Sequence, residues 1–236
     1  LKRVTLELGG KSPNIILPDA DFSKAIPGAL NGVMFNQGQV CCAGSRVYIQ
    51  KKHYDNVVAD MASHAKNIKQ GIGLDPSTQI GPLVSEEQQN RVMGYIEKGK
   101  NEGAEVLVGG NKPGEQGYFV SPTIFAGVEE DMTIAKEEIF GPVIAAMPFE
   151  DLDDVINRAN ASEYGLAAGL WTSDIANAHY VAGKLRAGTV WVNCYNAFDA
   201  ASPFGGYKQS GIGREMGSYA LDNYSEVKSV WINLGK

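Results

Sequence analysis

Two adjacent thiols stand in the run Asn36-Gln37-Gly38-Gln39-Val40-Cys41-Cys42-Ala43-Gly44-Ser45-Arg46, directly after an apolar, helix-like stretch that ends near Phe35. Small and polar neighbours place Cys41 on a loop, where backbone amides can face its sulfur. Such donors, with a nearby cationic side chain, lower a thiol's pKa and raise its thiolate fraction. Taken alone, the segment also fits two small buried hydrophobes. A second candidate is Glu7 in Leu6-Glu7-Leu8-Gly9-Gly10-Lys11-Ser12-Pro13. A carboxylate between two leucines on an apolar strand is desolvated if it points inward, which lifts its pKa toward neutrality and suits a general base. The two glycines allow a ligand to approach the backbone closely. The alternative is a glutamate that faces solvent or pairs with Lys11.

Two further segments carry possible binding chemistry. In Glu137-Glu138-Ile139-Phe140-Gly141-Pro142-Val143, paired acids before a turn suit a sugar's hydroxyls, with Phe140 against a flat ring; an ordinary solvated acidic pair is the other reading. In Ser202-Pro203-Phe204-Gly205-Gly206-Tyr207-Lys208, with Phe198 upstream and Gly211-Ile212-Gly213-Arg214-Glu215 downstream, aromatic residues in a glycine-rich loop can wall an apolar pocket. Core packing beneath a long loop would explain them too.

These residues need a frame, and the chain supplies alternating strand-like and helix-like stretches. Val4 to Leu8, Asn14 to Leu17, Val106 to Val108, Phe119 to Ile124, Leu166 to Trp171 and Thr189 to Asn193 read as short apolar strands. Helical spacing marks Lys52 to Ile68, a stretch from a Ser85/Gln88 capping box to about Gly99, and two more through Leu152–Ala159 and Ile175–Leu185. Near-continuous apolar strands between helices predict an α/β fold, a mainly parallel sheet with helices on both faces. The expected division is one α/β domain over 1–223 and a tail over 224–236. The tail, Tyr224 to Leu234, reads as a strand with Val230, Ile232 and Leu234 on one face and Trp231 on the other. It is either the last strand of the chain's own sheet or an arm added to a partner's sheet.

Composition narrows the function classes. The chain has 236 residues, 44% hydrophobic and 20% charged, with 21 basic against 27 acidic residues. A net charge of −6 without a basic cluster argues against a nucleic-acid partner. No run of about 18 apolar residues suggests a membrane span. Three cysteines, two of them adjacent, form neither a disulfide framework nor zinc spacing, so no metal is expected, and a reducing cytoplasm is the expected setting. The opening Leu1-Lys2-Arg3-Val4, without methionine or leader, reads as a cut inside a longer protein.

Taken together and in this order, the four segments resemble the aldehyde dehydrogenase superfamily. Leu-Glu-Leu-Gly-Gly-Lys-Ser-Pro at 6–13 is similar to its glutamate signature and Gly-Gln-Val-Cys at 38–41 to its cysteine signature. The resemblance covers essentially the whole chain and implies the following roles. Cys41 is the nucleophile, forming a thiohemiacetal and then a thioester, and Glu7 activates the water that hydrolyses it. Glu138 and Phe140 hold the nicotinamide ribose and ring of NAD or NADP, with Leu8 and Gly9 presenting backbone. Cys42, Phe198 and Phe204 line the aldehyde tunnel, and Glu215 belongs to a supporting or proton-relay shell. The tail becomes an oligomerisation strand, which implies a homo-oligomer. The family's cofactor domain, with an asparagine that helps stabilise the oxyanion, should precede this chain, so the chain alone is expected to bind NAD weakly and oxidise aldehydes poorly.

Three other readings compete. A cysteine hydrolase would need a histidine base, and His53, His64 and His179 have no recognisable partner context. A structural or assembly fragment is compatible with the tail. A CoA-acylating family member would pass the thioester to a thiol, but the resemblance implies an altered glutamate signature there, and Glu7 is intact.

Overall fold

A computed structural model describes residues 1–235. In chain order it contains β1 (Leu6–Glu7), β2 (Pro13–Ile16), α1 (Phe22–Met34), β3 (Arg46–Gln50), α2 (Tyr54–Lys66), α3 (Glu86–Asn101), β4 (Glu105–Val108), β5 (Thr123–Ala126) and α4 (Thr133–Lys136). There follow β6 (Val143–Phe149), α5 (Leu152–Asn160), β7 (Tyr164–Gly165), β8 (Ala167–Trp171), α6 (Ile175–Lys184), β9 (Thr189–Val192), β10 (Tyr207–Lys208), β11 (Gly211–Ile212) and α7 (Leu221–Tyr224). Seven strands form one sheet in the order β4-β5-β6-β3-β2-β8-β9. Every pair is parallel except β4–β5.

Side-chain alternation divides the core into two layers. Val47 and Ile49 of β3, with Ile144 and Ala146 of β6, pack against α1 and α2. Tyr48, Ala145, Met147 and Phe149 point the other way, toward Val92 and Ile96 of α3, Val155 of α5 and Val181 of α6. A sheet covered on both faces leaves no polar side on its central strands, which accounts for their continuous apolar runs. The α/β class, the mainly parallel sheet and the two helical layers are those expected from sequence.

Helix starts follow local chemistry. Asp151 caps α5, its side chain accepting from the Asp154 amide, and Ser85 caps α3 by accepting from the Gln88 amide. Only half of the capping box forms: the Gln88 side chain donates instead to the carbonyls of Ile139 (3.2 Å) and Phe140 (2.7 Å). Among the described residues, no helix is long and apolar enough to cross a membrane.

Four expectations are corrected. The two central strands β3 and β6 carry most of the sheet's pairing, yet neither stands among the predicted strands. The predicted strand Val4 to Leu8 shrinks to Leu6–Glu7, paired off the main sheet with β11. Strand pairing also begins at Thr123 rather than Phe119. The tail forms no strand over 225–235. A strand requires a ladder partner, and this segment has none among the described residues; its Trp231 is 93% exposed and its Val227 97%. Lys236, the last residue of that expected tail, lies outside the described residues.

Candidate active site

Cys41 sits at a backbone turn between helix α1 and strand β3. α1 ends at Met34, a 3-10 turn over Phe35–Gly38 reverses the chain, and β3 begins at Arg46. Within the turn, the Ala43 amide donates to the Val40 carbonyl (3.0 Å), placing both cysteines at its centre. Cys41 is half-buried and Cys42 is buried, packed with Leu166, Ala167 and Trp191.

The two thiols titrate in opposite directions. The Cys41 thiol is lowered to about 7. Donation from the Cys42 thiol is the main cause; burial opposes it, and the Cys42 amide assists. Cys42 is pushed up by that same hydrogen bond and by burial. Its single S–H also has Asn196 Oδ1 as an acceptor at 3.7 Å, and the charged thiolate is the stronger of the two.

Glu7 reaches the site from the β1–β11 ribbon. Its neighbours Leu6 and Leu8 lie exposed, so the alternation turns the carboxylate inward and the leucines outward. One carboxylate oxygen, Oε2, is buried without a partner. Desolvation raises its pKa, the Glu215 carboxylate adds to the rise, and Arg214 opposes it. The alternative pairing with Lys11 is not observed: Lys11 is buried and its ammonium has no partner among the described residues.

Glu138 closes the third side. Its Oε1 accepts from the Gly10 amide (3.1 Å), and a Cβ at Gly9 would stand 2.5 Å from its Oε2. Burial raises its pKa, against the opposing pull of that amide, Lys11 and Arg91. A Cβ at Gly10 would collide with the Cys41 carbonyl, so the Gly-Gly pair lets the Glu7 strand, Glu138 and the cysteine turn converge. Phe140 follows in a left-handed conformation (φ 57°), held by the Gln88 amide group. Phe198 and Phe204 meet edge to face at 5.4 Å, and Trp191 meets Phe198 at the same separation. Glu215 is exposed and joins this wall through its backbone, exchanging two 2.7 Å hydrogen bonds with Phe204.

Sequence reading missed Trp191, Tyr195, Asn196 and Gln88. The aromatic spacing within and just beyond β9 was a usable signal for the first two. Among the described residues, no group of three or more His, Cys, Asp or Glu could hold a metal ion.

Lys11 carries a measurable consequence. Burial and the Arg46 charge lower its pKa from 10.5 to about 7, while Glu138 and Glu137 pull upward. The unfolded chain therefore holds a proton that the folded chain releases, and stability should rise with pH between these two values. Denaturant titrations across that window are expected to show the slope, and Lys11→Met should flatten it. A slope unchanged in the variant would refute the assignment.

Comparison with known proteins gives the family of the chain. A family model described as "Aldehyde dehydrogenase family" matches residues 1–230. DhaS of Bacillus subtilis is 73% identical over 234 residues, which is 99% of this chain and 47% of that protein. Human mitochondrial aldehyde dehydrogenase is 53% identical, over 99% of this chain and 45% of its own length. The NAD+ complex structure of the Bacillus cereus aldehyde dehydrogenase superposes with a TM-score of 0.96 at 62% identity, covering 99% of this chain and 48% of that one. The chain thus spans about half the length of the curated relatives it matches, and it belongs to the aldehyde dehydrogenase family.

Proposed function

We propose that the complete polypeptide carrying this sequence oxidises an aldehyde to a carboxylic acid with NAD, and that this chain supplies the nucleophile, the base and the nicotinamide-side contacts. The observation that carries the proposal is the convergence of a low-pKa Cys41, an inward Glu7 and Glu138 around the Gly9-Gly10 pair.

In this reading the Cys41 thiolate attacks the carbonyl carbon. The thiolate fraction is large near neutrality because Cys42 donates to it. NAD, when bound, supplies the hydride acceptor that turns the sulfur adduct into a thioester. The residues present fit that group: the half-buried Glu138 carboxylate suits ribose hydroxyls, and the missing Cβ at Gly9 lets that carboxylate lie against the backbone, where the Gly10 amide holds it. Leu8 and Gly9 offer backbone there, and Phe140 is held at the rim. Glu7 then takes the proton from the water that attacks the thioester; its raised pKa suits that task. Glu215 supports Glu7 by its charge. Phe198 and Phe204, with Trp191 behind them, suit an apolar aldehyde, aliphatic or aromatic. Three free thiols fit a reducing cytoplasm.

The direct test is to acid-quench a reaction of the complete polypeptide with NAD and a simple aldehyde, then map the acyl mass. An acyl group on the Cys41 peptide is expected. Turnover with no acyl group there, or with one on another residue, would sink the mechanism.

The tail fits an arm that adds a strand to a second copy. Its apolar Val230, Trp231 and Ile232 are exposed, and β4 and β9 each leave one sheet edge unpaired. Deleting residues 225–236 is expected to lower the mass seen by sedimentation to that of a single chain. An unchanged mass would exclude the arm.

A further inference from the structure

Beneath the cysteine turn lies a tyrosine to which the mechanism assigns no task. The Tyr195 ring occupies a slot that exists only because three residues lack side chains. A Cβ at Gly169 of β8 would lie 2.6 Å from the ring, one at Gly44 2.8 Å from the phenol oxygen, and one at Gly32 of α1 2.9 Å from the ring. Trp191 backs the ring at 4.7 Å between centroids. From this slot the hydroxyl donates to the Cys42 carbonyl at 2.7 Å. The next residue, Asn196, meets the Cys42 sulfur. The other carbonyl of the turn, that of Cys41, is pressed against Gly10. With both carbonyls committed inward, the Cys42 amide is left to face the Cys41 sulfur, where it contributes to lowering that thiol. Burial holds the phenol well above its ordinary range, so the O–H persists as a donor across neutral pH.

We propose that Tyr195 is the positioning residue of the nucleophile turn, holding the Cys42 carbonyl so that the backbone of Cys42 stays in place with its thiol and its own N–H aimed at Cys41. The proposal rests on Cys41 being the nucleophile. Its test is Tyr195→Phe in the complete polypeptide, with alkylation of each cysteine followed by mass spectrometry against pH. Cys41 is expected to label about threefold more slowly at pH 7, its inflection moving up by about 0.7 pH unit. Exposed Cys194 should not change, and kcat should fall with the aldehyde KM unaltered. Replacing Tyr195 by 4-aminophenylalanine, which keeps ring and donor, should restore the Cys41 profile. A Phe variant whose Cys41 profile superimposes on that of the unaltered protein overturns the proposal, as does slowing that the amino variant leaves in place. Should the Phe variant not fold, amide exchange in the unaltered protein decides: residues 42–44 must exchange more slowly than the loop at 72–78, and equal rates overturn it. A Cys41 that labels no faster than Cys194 in the unaltered protein instead overturns the nucleophile assignment itself.

Discussion

Cys41→Ser is expected to lower aldehyde oxidation by about four orders of magnitude or more while leaving the fold intact. The substitution is nearly isosteric at a half-buried turn position, so packing changes little. Chemistry changes greatly, because a serine hydroxyl does not ionise near neutrality and no histidine base stands beside it. The site gives it only Glu7, whose own pKa is raised by burial. Cys42→Ala is the discriminating control. It removes the main donor to the Cys41 thiolate, so the acidic limb of the pH–rate profile should move to higher pH while turnover survives. Steady-state formation of reduced nicotinamide measures both variants. A serine variant that kept a tenth of the activity, or a Cys42 variant that was the dead one, would reassign the nucleophile.

The second large effect is expected at Glu7. Glu7→Gln should reduce kcat by about a hundredfold to ten-thousandfold, the range for loss of a positioned general base. The loss should fall on hydrolysis of the thioester, so a first-turnover burst of reduced nicotinamide remains and acylated Cys41 accumulates. Absence of the burst would move Glu7 to an earlier step, as the base that prepares the thiol. The same variant should be more stable than its parent at neutral pH. A carboxyl whose folded pKa lies above its unfolded value stabilises the protein below the unfolded value and loses that contribution as pH rises through the folded one. Glutamine removes the loss, and its amide suits a buried position with no partner for an anionic oxygen. Greater stability with less activity is the mark of a strained catalytic position rather than a structural one.

Much of the architecture was legible where a single pattern governed it. The helices over 54–66 and 152–160 bury one face each, so their apolar spacing survives in the sequence. The misses have physical causes. β3 is bracketed by Arg46 and Gln50, which disguise a strand whose middle is fully buried. β6 contains a pair of alanines and Pro148, which argues against a central strand. Yet β5 pairs only with residues 143–145, so Pro148 lies where β6 has β3 as its one neighbour. The candidate site divides in the same way. Cys41, Glu7 and Glu138 are marked by unusual residue types in unusual company. Tyr195 and Gln88 act through hydrogen bonds to backbone carbonyls more than fifty residues away, and nothing in their local sequence announces such a partner.

The two halves of the proposed catalytic pair are anchored very unequally. Cys41 is spliced between α1 and the central strand β3, so its turn can open only when the cooperative core opens. Glu7 stands on a ribbon of two residue pairs outside the main sheet, reinforced by one further bond from the Leu8 amide to Ser210. Local opening there costs far less than global unfolding. Mild heat or sub-denaturing urea should therefore disable the base before the nucleophile. An enzyme caught in that window would load its substrate and fail to release it, so early damage would take the form of a trapped acyl enzyme rather than an unfolded chain.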